Sequence, residues 1–356
     1  MIWILSILTL CSVNASGLKT NFSTKESYDI LFAKDNTIHA TTHITNIIRN
    51  GTEGLTTSEI KNLEQLGILS QNGEISTFTP NDLDLVFESE HFRFHYTNEG
   101  TDAISDPNYI FQMAEVFEEV YSFYIDTLNF SAPVSDPASD DILYDVFVEN
   151  LPTYYFGITY TKNTSVSSPA CVSYIKMRNN YDGSQFSEHT ELENVQVTAV
   201  HEFFHAIQFS YNCYERFWFM EATAVWSEDE LYNNVNDHYR YISSWFSNIN
   251  KSLDDESSHM YGSFIFFQYI DEHLGGPNTI RLCWEKSHEL ASPIQDNSIE
   301  SINAALSDLG SSFEETYLRM RIANKIMNTS AGLYSYEEAD GYRSAGGNPL
   351  EKDIFY

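Results

Sequence analysis

His201-Glu202-Phe203-Phe204-His205 is the stretch that decides how this chain is read, and Glu221, within Phe217-Trp218-Phe219-Met220-Glu221-Ala222-Thr223-Ala224, completes it. Residues i and i+4 share one face of a helix, so His201 and His205 can aim both imidazoles at one metal ion. Glu202, one position after the first histidine, can reach a water at that ion. Two imidazole ligands and a carboxylate base make the layout of a zinc hydrolase. Histidine is scarce, with 11 in 356 residues, which makes the pairing informative.

The flanks support a helical setting. Residues 195–211 (VQVTAVHEFFHAIQFSY) contain no Gly or Pro, and Val197, Val200, Phe204, Ile207 and Tyr211 recur at spacings of three and four, as in a buried helix. A second such run, 214–232, carries Glu221. Two adjacent helices then supply three ligands and leave a fourth position for water. Glu221 lies among Trp218, Phe219, Met220 and Ala222, where an unpaired carboxylate would be costly; this favours it as the third ligand. Glu228, seven residues on and on the same helix face, is the rival. Its expected part is to hold a ligand histidine from behind.

Together, His201 to His205 and Glu221-Ala-Thr-Ala-Val-Trp-Ser-Glu228 resemble the gluzincin class of zinc metallopeptidases. Within it, the chain is most similar to a set of secreted bacterial metalloproteases, from about Phe87 to Ser287. The similarity includes Glu90-His-Phe-Arg-Phe-His-Tyr-Thr97, the region 109–124, Tyr144-Asp-Val-Phe-Val148 and Tyr261-Gly262. The resemblance implies a zincin-like α+β fold with a mixed sheet and a mainly helical second half. It implies Zn2+ on His201, His205 and Glu221, with Glu202 as base and a peptide or protein as substrate. Such enzymes also use a Tyr or His from a later helix on the oxyanion, for which Tyr261 and His259 are the candidates. The chain departs from the class in spacing, because only residues 206–220 separate His205 from Glu221.

Composition limits the alternatives. The net charge is −32, from 19 Lys+Arg against 51 Asp+Glu, so nucleic acid is not an expected partner. Hydrophobic residues at 42% can fill a large core. The apolar run 2–13 followed by Val13-Asn14-Ala15 reads as a signal peptide cut after Ala15, giving a secreted chain. That run is too short for a membrane span, and no later segment qualifies. Export would leave Cys171, Cys213 and Cys283, hence at most one internal disulfide; Cys171 and Cys213 flank the His201 helix.

Four regions are expected: signal peptide 1–15, a propeptide or accessory segment 16–85, a metallopeptidase domain 86–330 and an irregular tail 331–356. In 16–85, Thr56 and Glu59 form a capping box for a helix over 56–69. His39 and His43 have metal-compatible spacing but lack a glutamate and a clear helix, and read as structural. Alternation predicts strands at 92–96, 142–148 and 171–178, the last an edge able to pair with an extended peptide. Helices are expected at 110–128, with Phe111 inward, at 260–274 ending on Gly275-Gly276, and at 312–327. The competing functional reading is a catalytically silent extracellular binding protein that keeps the fold and the zinc. Glu202 counts against it.

Overall fold

The computed structural model describes residues 22–33, 40–65, 68–69, 83–137, 142–152, 155–162, 169–292 and 295–347. The signal-peptide segment 1–15 and His39 lie outside the described residues.

The chain is α+β. Three helices come first: α1 (Thr24–Leu31), α2 (Thr41–Asn50) and α3 (Thr57–Gln65). A mixed sheet follows, built from β1 (Leu85–Glu88), β2 (Phe92–Tyr96), β3 (Tyr144–Glu149), β4 (Gly157–Thr161) and β5 (Ser173–Arg178), with α4 (Asn108–Tyr121) between β2 and β3. Its order is β1-β2-β3-β5-β4. The three central strands β2, β3 and β5 are parallel; β1 and β4 close the two edges antiparallel. The segment 171–178 is therefore an interior strand, paired on both sides. The edge role belongs to β4, which was not foreseen because Gly157-Ile-Thr-Tyr-Thr161 is buried throughout and shows no polar alternation.

That burial has a simple cause: both faces of the sheet are covered. Val146, Val148, Ile175 and Met177 join the large core. Phe147, Ile158, Tyr160 and Tyr174 point the other way, into a second cluster with Tyr28, Leu31, Ile44, Ile47 and Leu63 of α1, α2 and α3. Strands covered on both faces read as near-continuous apolar runs. The N-terminal segment is thus packed onto the sheet rather than strung out before it.

The second half is helical: α5 (Glu191–Asn212), α6 (Phe217–Tyr232), α7 (Tyr239–Ser247), α8 (His259–Gly262), α9 (Phe264–His273), α10 (Pro277–Leu290), α11 (Ser298–Asp308), α12 (Phe313–Ile326) and α13 (Ala339–Ser344). Thr190 and Glu193 form a reciprocal capping box that starts α5 earlier than the apolar period indicates. From there α5 is enclosed by the sheet, α4, α6 and α10, so its polar residues must find partners inside the protein. Gly157 allows β4 to approach it closely, since a Cβ there would lie 2.7 Å from Thr198 and 2.8 Å from the Glu202 side chain.

Several local expectations shift. Phe111, expected inward, is 47% exposed and packs edge-on against Phe87 of the edge strand β1. The helix at 260–274 is divided at Ser263, whose hydroxyl donates to Leu253 O; Gly275 and Gly276, both at positive φ, end it. The described part of the tail is ordered: Tyr336 and Tyr342 are fully buried beside α13. Cys171 and Cys213 form a disulfide with Cα atoms 5.8 Å apart, and Cys283 is a buried free thiol. No helix among the described residues is long and apolar enough to cross a membrane.

Candidate metal centre

Helices α5 and α6 bring His201, His205 and Glu221 into one triangle. His201 Nε2 lies 3.1 Å from His205 Nε2 and 3.2 Å from Glu221 Oε2, and His205 Nε2 lies 3.7 Å from the same oxygen. Tetrahedral bonds of roughly 2.0–2.1 Å separate ligand atoms by about 3.3 Å, so the spacing suits zinc.

The hydrogen bonds behind the triangle fix which atoms face inward. His201 Nδ1 is 2.6 Å from Glu228 Oε1, and His205 Nδ1 is 2.8 Å from Gln208 Oε1. Gln208 is itself oriented, because its Nε2 donates to Met220 O and to Thr223 Oγ1. Oxygen acceptors opposite both Nδ1 atoms require the hydrogens there, and both Nε2 lone pairs then point into the triangle. Three acceptor atoms converge on one fully buried point, an arrangement that needs a cation or a proton. The charges agree. Burial opposes charge on His201, but bonds to Glu221 and Glu228 outweigh it and push its pKa up to about 10. Burial holds that of His205 down. Carboxylates that favour a proton on His201 favour a metal cation in the same place. Glu221, and not Glu228, is in the triangle; Glu228 stands behind His201.

Glu202 lies beside this group on α5. Its Oε2 accepts from Thr41 Oγ1 at 2.8 Å and from Thr159 Oγ1 at 2.7 Å. Thr41 Oγ1 also accepts the Thr159 backbone N–H on β4, at 2.8 Å. Thr42 Oγ1 donates to Glu221 Oε1 at 2.8 Å. Two consecutive residues at the start of α2 therefore meet Glu202 and a triangle member. The helix begins without a side-chain cap, its first hydroxyls being turned onto those carboxylates. The positive end of its macrodipole faces two acidic groups. His43, one residue on, is buried between Phe22 and Phe217. Burial, against the pull of Glu221, takes its pKa down to about 4. It sits on a helix, contrary to the sequence reading, and is no member of the triangle.

The two residues expected at the oxyanion each pack against an aromatic ring. His259 stacks on Trp245 with ring centroids 4.4 Å apart, and burial pushes its pKa down to about 4. Tyr261 stacks on Tyr241 at 5.2 Å. Tyr241, not singled out in the sequence, has its ionisation opposed first by burial and, against the pull of Arg240, by the charges of Glu228, Asp237 and Glu221. A second acidic–histidine group joins Asp229, His238 and Glu338. There Asp229 faces Nδ1 at 3.6 Å and Glu338 faces Nε2 at 3.0 Å. Carboxylates on opposite nitrogens suit an imidazolium bridge, which ties the C-terminal segment to α6 and α7.

Of the residues around the triangle, Gln208 was findable, since it lies one helical turn beyond His205. Thr41, Thr42 and Thr159 carried no signal, being common residues distant in sequence.

The chain belongs to a protein family of unknown function, DUF6055, whose model matches residues 79–304. The match contains the sheet and α4 to α10 and starts after α3. No curated protein matches the chain.

Proposed function

We propose that the protein is a zinc-dependent peptidase. The observation that carries this reading is the convergence of His201 Nε2, His205 Nε2 and Glu221 Oε2 at 3.1–3.7 Å, with both Nδ1 atoms held from behind. Zinc bound there supplies Lewis acidity and lowers the pKa of water to roughly 7. Glu228 and Gln208 keep the two imidazoles in the metal-binding tautomer. Glu202 takes the proton from the attacking water and delivers it to the leaving nitrogen. Tyr241 and Tyr261 are the candidates to donate to the oxyanion. The Thr159 N–H on the edge strand β4, now bonded to Thr41, is a group a substrate backbone carbonyl can use. The Cys171–Cys213 bridge supports an oxidising compartment, in line with secretion.

The test is the metal content of the purified chain, with hydrolysis of unfolded protein by the chain and by Glu202→Gln. Zinc at about one per chain in both, with cleavage lost in the variant, is the expected result. A chain that takes up no zinc ends the proposal. The second reading, a zinc-holding protein that does not hydrolyse, is favoured by one observation: His201, Glu202, His205 and Glu221 are each 0% exposed.

A further inference from the structure

We infer that the helices α1 to α3 are a built-in inhibitor of the metal centre, and that displacing α2 opens the site to an extended polypeptide. The inference rests on the hydrolytic reading of the site.

Three independent observations carry it. The first is occupancy. A water serving Glu202 must hydrogen-bond to its carboxylate, and Thr41 holds Oε2 at 2.8 Å. Thr42 holds Glu221 at 2.8 Å, and Thr41 takes the N–H of Thr159 on the free edge of β4. A base, a metal-facing carboxylate and a strand-edge donor are the three groups a peptide substrate and its water need. Two consecutive threonines bond all three, Thr41 sharing Glu202 Oε2 with Thr159 and Thr42 taking Oε1 of Glu221, the carboxylate whose Oε2 is in the triangle. The four site residues are fully buried with α2 seated.

The second is separability. The apolar side chains of α1 to α3 pack with the outer face of the sheet in a second cluster, and α2 meets the large core through His43 on Phe217 and Arg49 on Tyr214. The family match begins at residue 79 and does not include them. A cut between Leu69 and Leu83 would leave every strand and α4 to α13 uninterrupted.

The third is the character of α2 itself. Thr41-Thr-His-Ile-Thr-Asn-Ile-Ile-Arg-Asn50 is rich in β-branched residues, and a helix of 10 residues with that content is unstable alone. It is held by Ile44 and Ile47 in the sheet-side cluster, by the Asn46 amide donating to Ser27 Oγ, and by Arg49 stacked 5.1 Å from the Tyr214 ring centroid. Once displaced, it has little reason to remain a helix and rebind. The face it leaves presents Ile158 and Tyr160 of β4, apolar side chains beside a strand edge, which suits an extended chain with apolar side chains.

The experiment places a site for a sequence-specific protease between Leu69 and Leu83 in the full chain. Intact and cut forms are compared, and the cut is repeated in Ile44→Asp/Ile47→Asp to drive release of the fragment. Three readouts are taken: carbethoxylation of His201 and His205 in the metal-free protein, the rate at which a chelator extracts zinc, and hydrolysis of an unfolded protein. The first needs neither metal nor activity. All three are expected to rise at least about tenfold on release, with Glu202→Gln abolishing only hydrolysis. Equal histidine labelling in the intact and released forms overturns the inference. Faster labelling with no hydrolysis, or with no zinc bound, upholds the cover and overturns the hydrolytic reading instead.

Discussion

Helices α5 and α2 meet at the same pair of carboxylates and are specified in opposite ways. Helix α5 is 22 residues long, is capped, and carries the two histidines and Glu202 at helical spacing. Helix α2 is 10 residues long, lacks a side-chain cap, and contributes two threonine hydroxyls. The candidate metal centre is written in rare residues at fixed spacing, and the helix over it in common residues whose only distinction is where the fold brings them. A helix that gathers candidate metal ligands can therefore be found from a sequence, whereas one that packs over them has to be seen in place.

The largest expected effect tests the α5 side. Glu202→Gln keeps the volume and removes the proton acceptor. Peptide hydrolysis by the α2-released form should fall by about 10²–10⁴, the range for a positioned general base, with zinc content unchanged. Steady-state rates on a quenched peptide, together with metal analysis, check this. Undiminished turnover would remove α5 from the chemistry and end the contrast.

Next in size is the anchoring of α5. The disulfide joins the end of α5 to the start of β5 across 42 residues, reinforced by Cys171 N donating to Phe209 O and Cys213 N to Pro169 O. No such bond ties α2. Closing a loop of that length stabilises by about 4 kcal/mol on the chain-entropy account. Cys171→Ser/Cys213→Ser should lower unfolding stability by up to that amount in denaturant titration. Proteolytic sensitivity of α2 should change little. If α2 loosens first on reduction, the two helices are not independently held.

Much of this division was legible beforehand. The α+β class, three of the strands and the long helices followed from period-2 and period-3.6 patterns that tertiary packing reinforced. The triangle followed from His201, His205 and Glu221 alone, and Glu228 was read as a partner for a ligand histidine. What stayed hidden has physical causes. Strand β4 is buried on both faces and has no alternation to read. Phe111 lies at the flank of α4, where a strand edge covers it only partly. Tyr336 and Tyr342 sit in a Gly-rich stretch without period, held by long-range packing. Thr41 and Thr42 gain meaning only because α1 to α3 fold back across the sheet.

A smaller effect, and one that separates the helices by pH, comes from His43. Burial depresses its pKa from the ordinary 6.5 to about 4, so the seated state of α2 requires the neutral ring. The displaced helix would protonate near 6.5. Seating is fully supported above that value, weakens as pH falls from 6.5 toward 4, and loses on the order of 3 kcal/mol across the window. Cleavage of residues 40–50 by a protease active throughout that range should accelerate as pH falls. His43→Phe, which cannot titrate, should flatten the profile. A profile unchanged in His43→Phe would assign acid sensitivity to the metal ligands instead.

The finest distinction lies within the α5 site itself, between the two groups that hold the imidazoles. Glu228 accepts from His201 through a carboxylate at 2.6 Å, and Gln208 accepts from His205 through a neutral amide at 2.8 Å. Both fix the tautomer, but only the carboxylate raises the basicity of the ring it holds. Glu228→Ala should weaken zinc binding by about 10–100-fold in chelator competition, and Glu228→Gln by less, because an acceptor remains. Gln208→Leu should fall below Glu228→Ala, since the lost bond is neutral. Glu221→Ala should exceed all of these if it supplies a ligand oxygen. Were Glu228→Ala to abolish zinc binding while Glu221→Ala preserved it, the two glutamates would exchange roles. The bond from Thr42 would then restrain a supporting residue, leaving Thr41 on Glu202 as the one contact by which α2 reaches the chemistry.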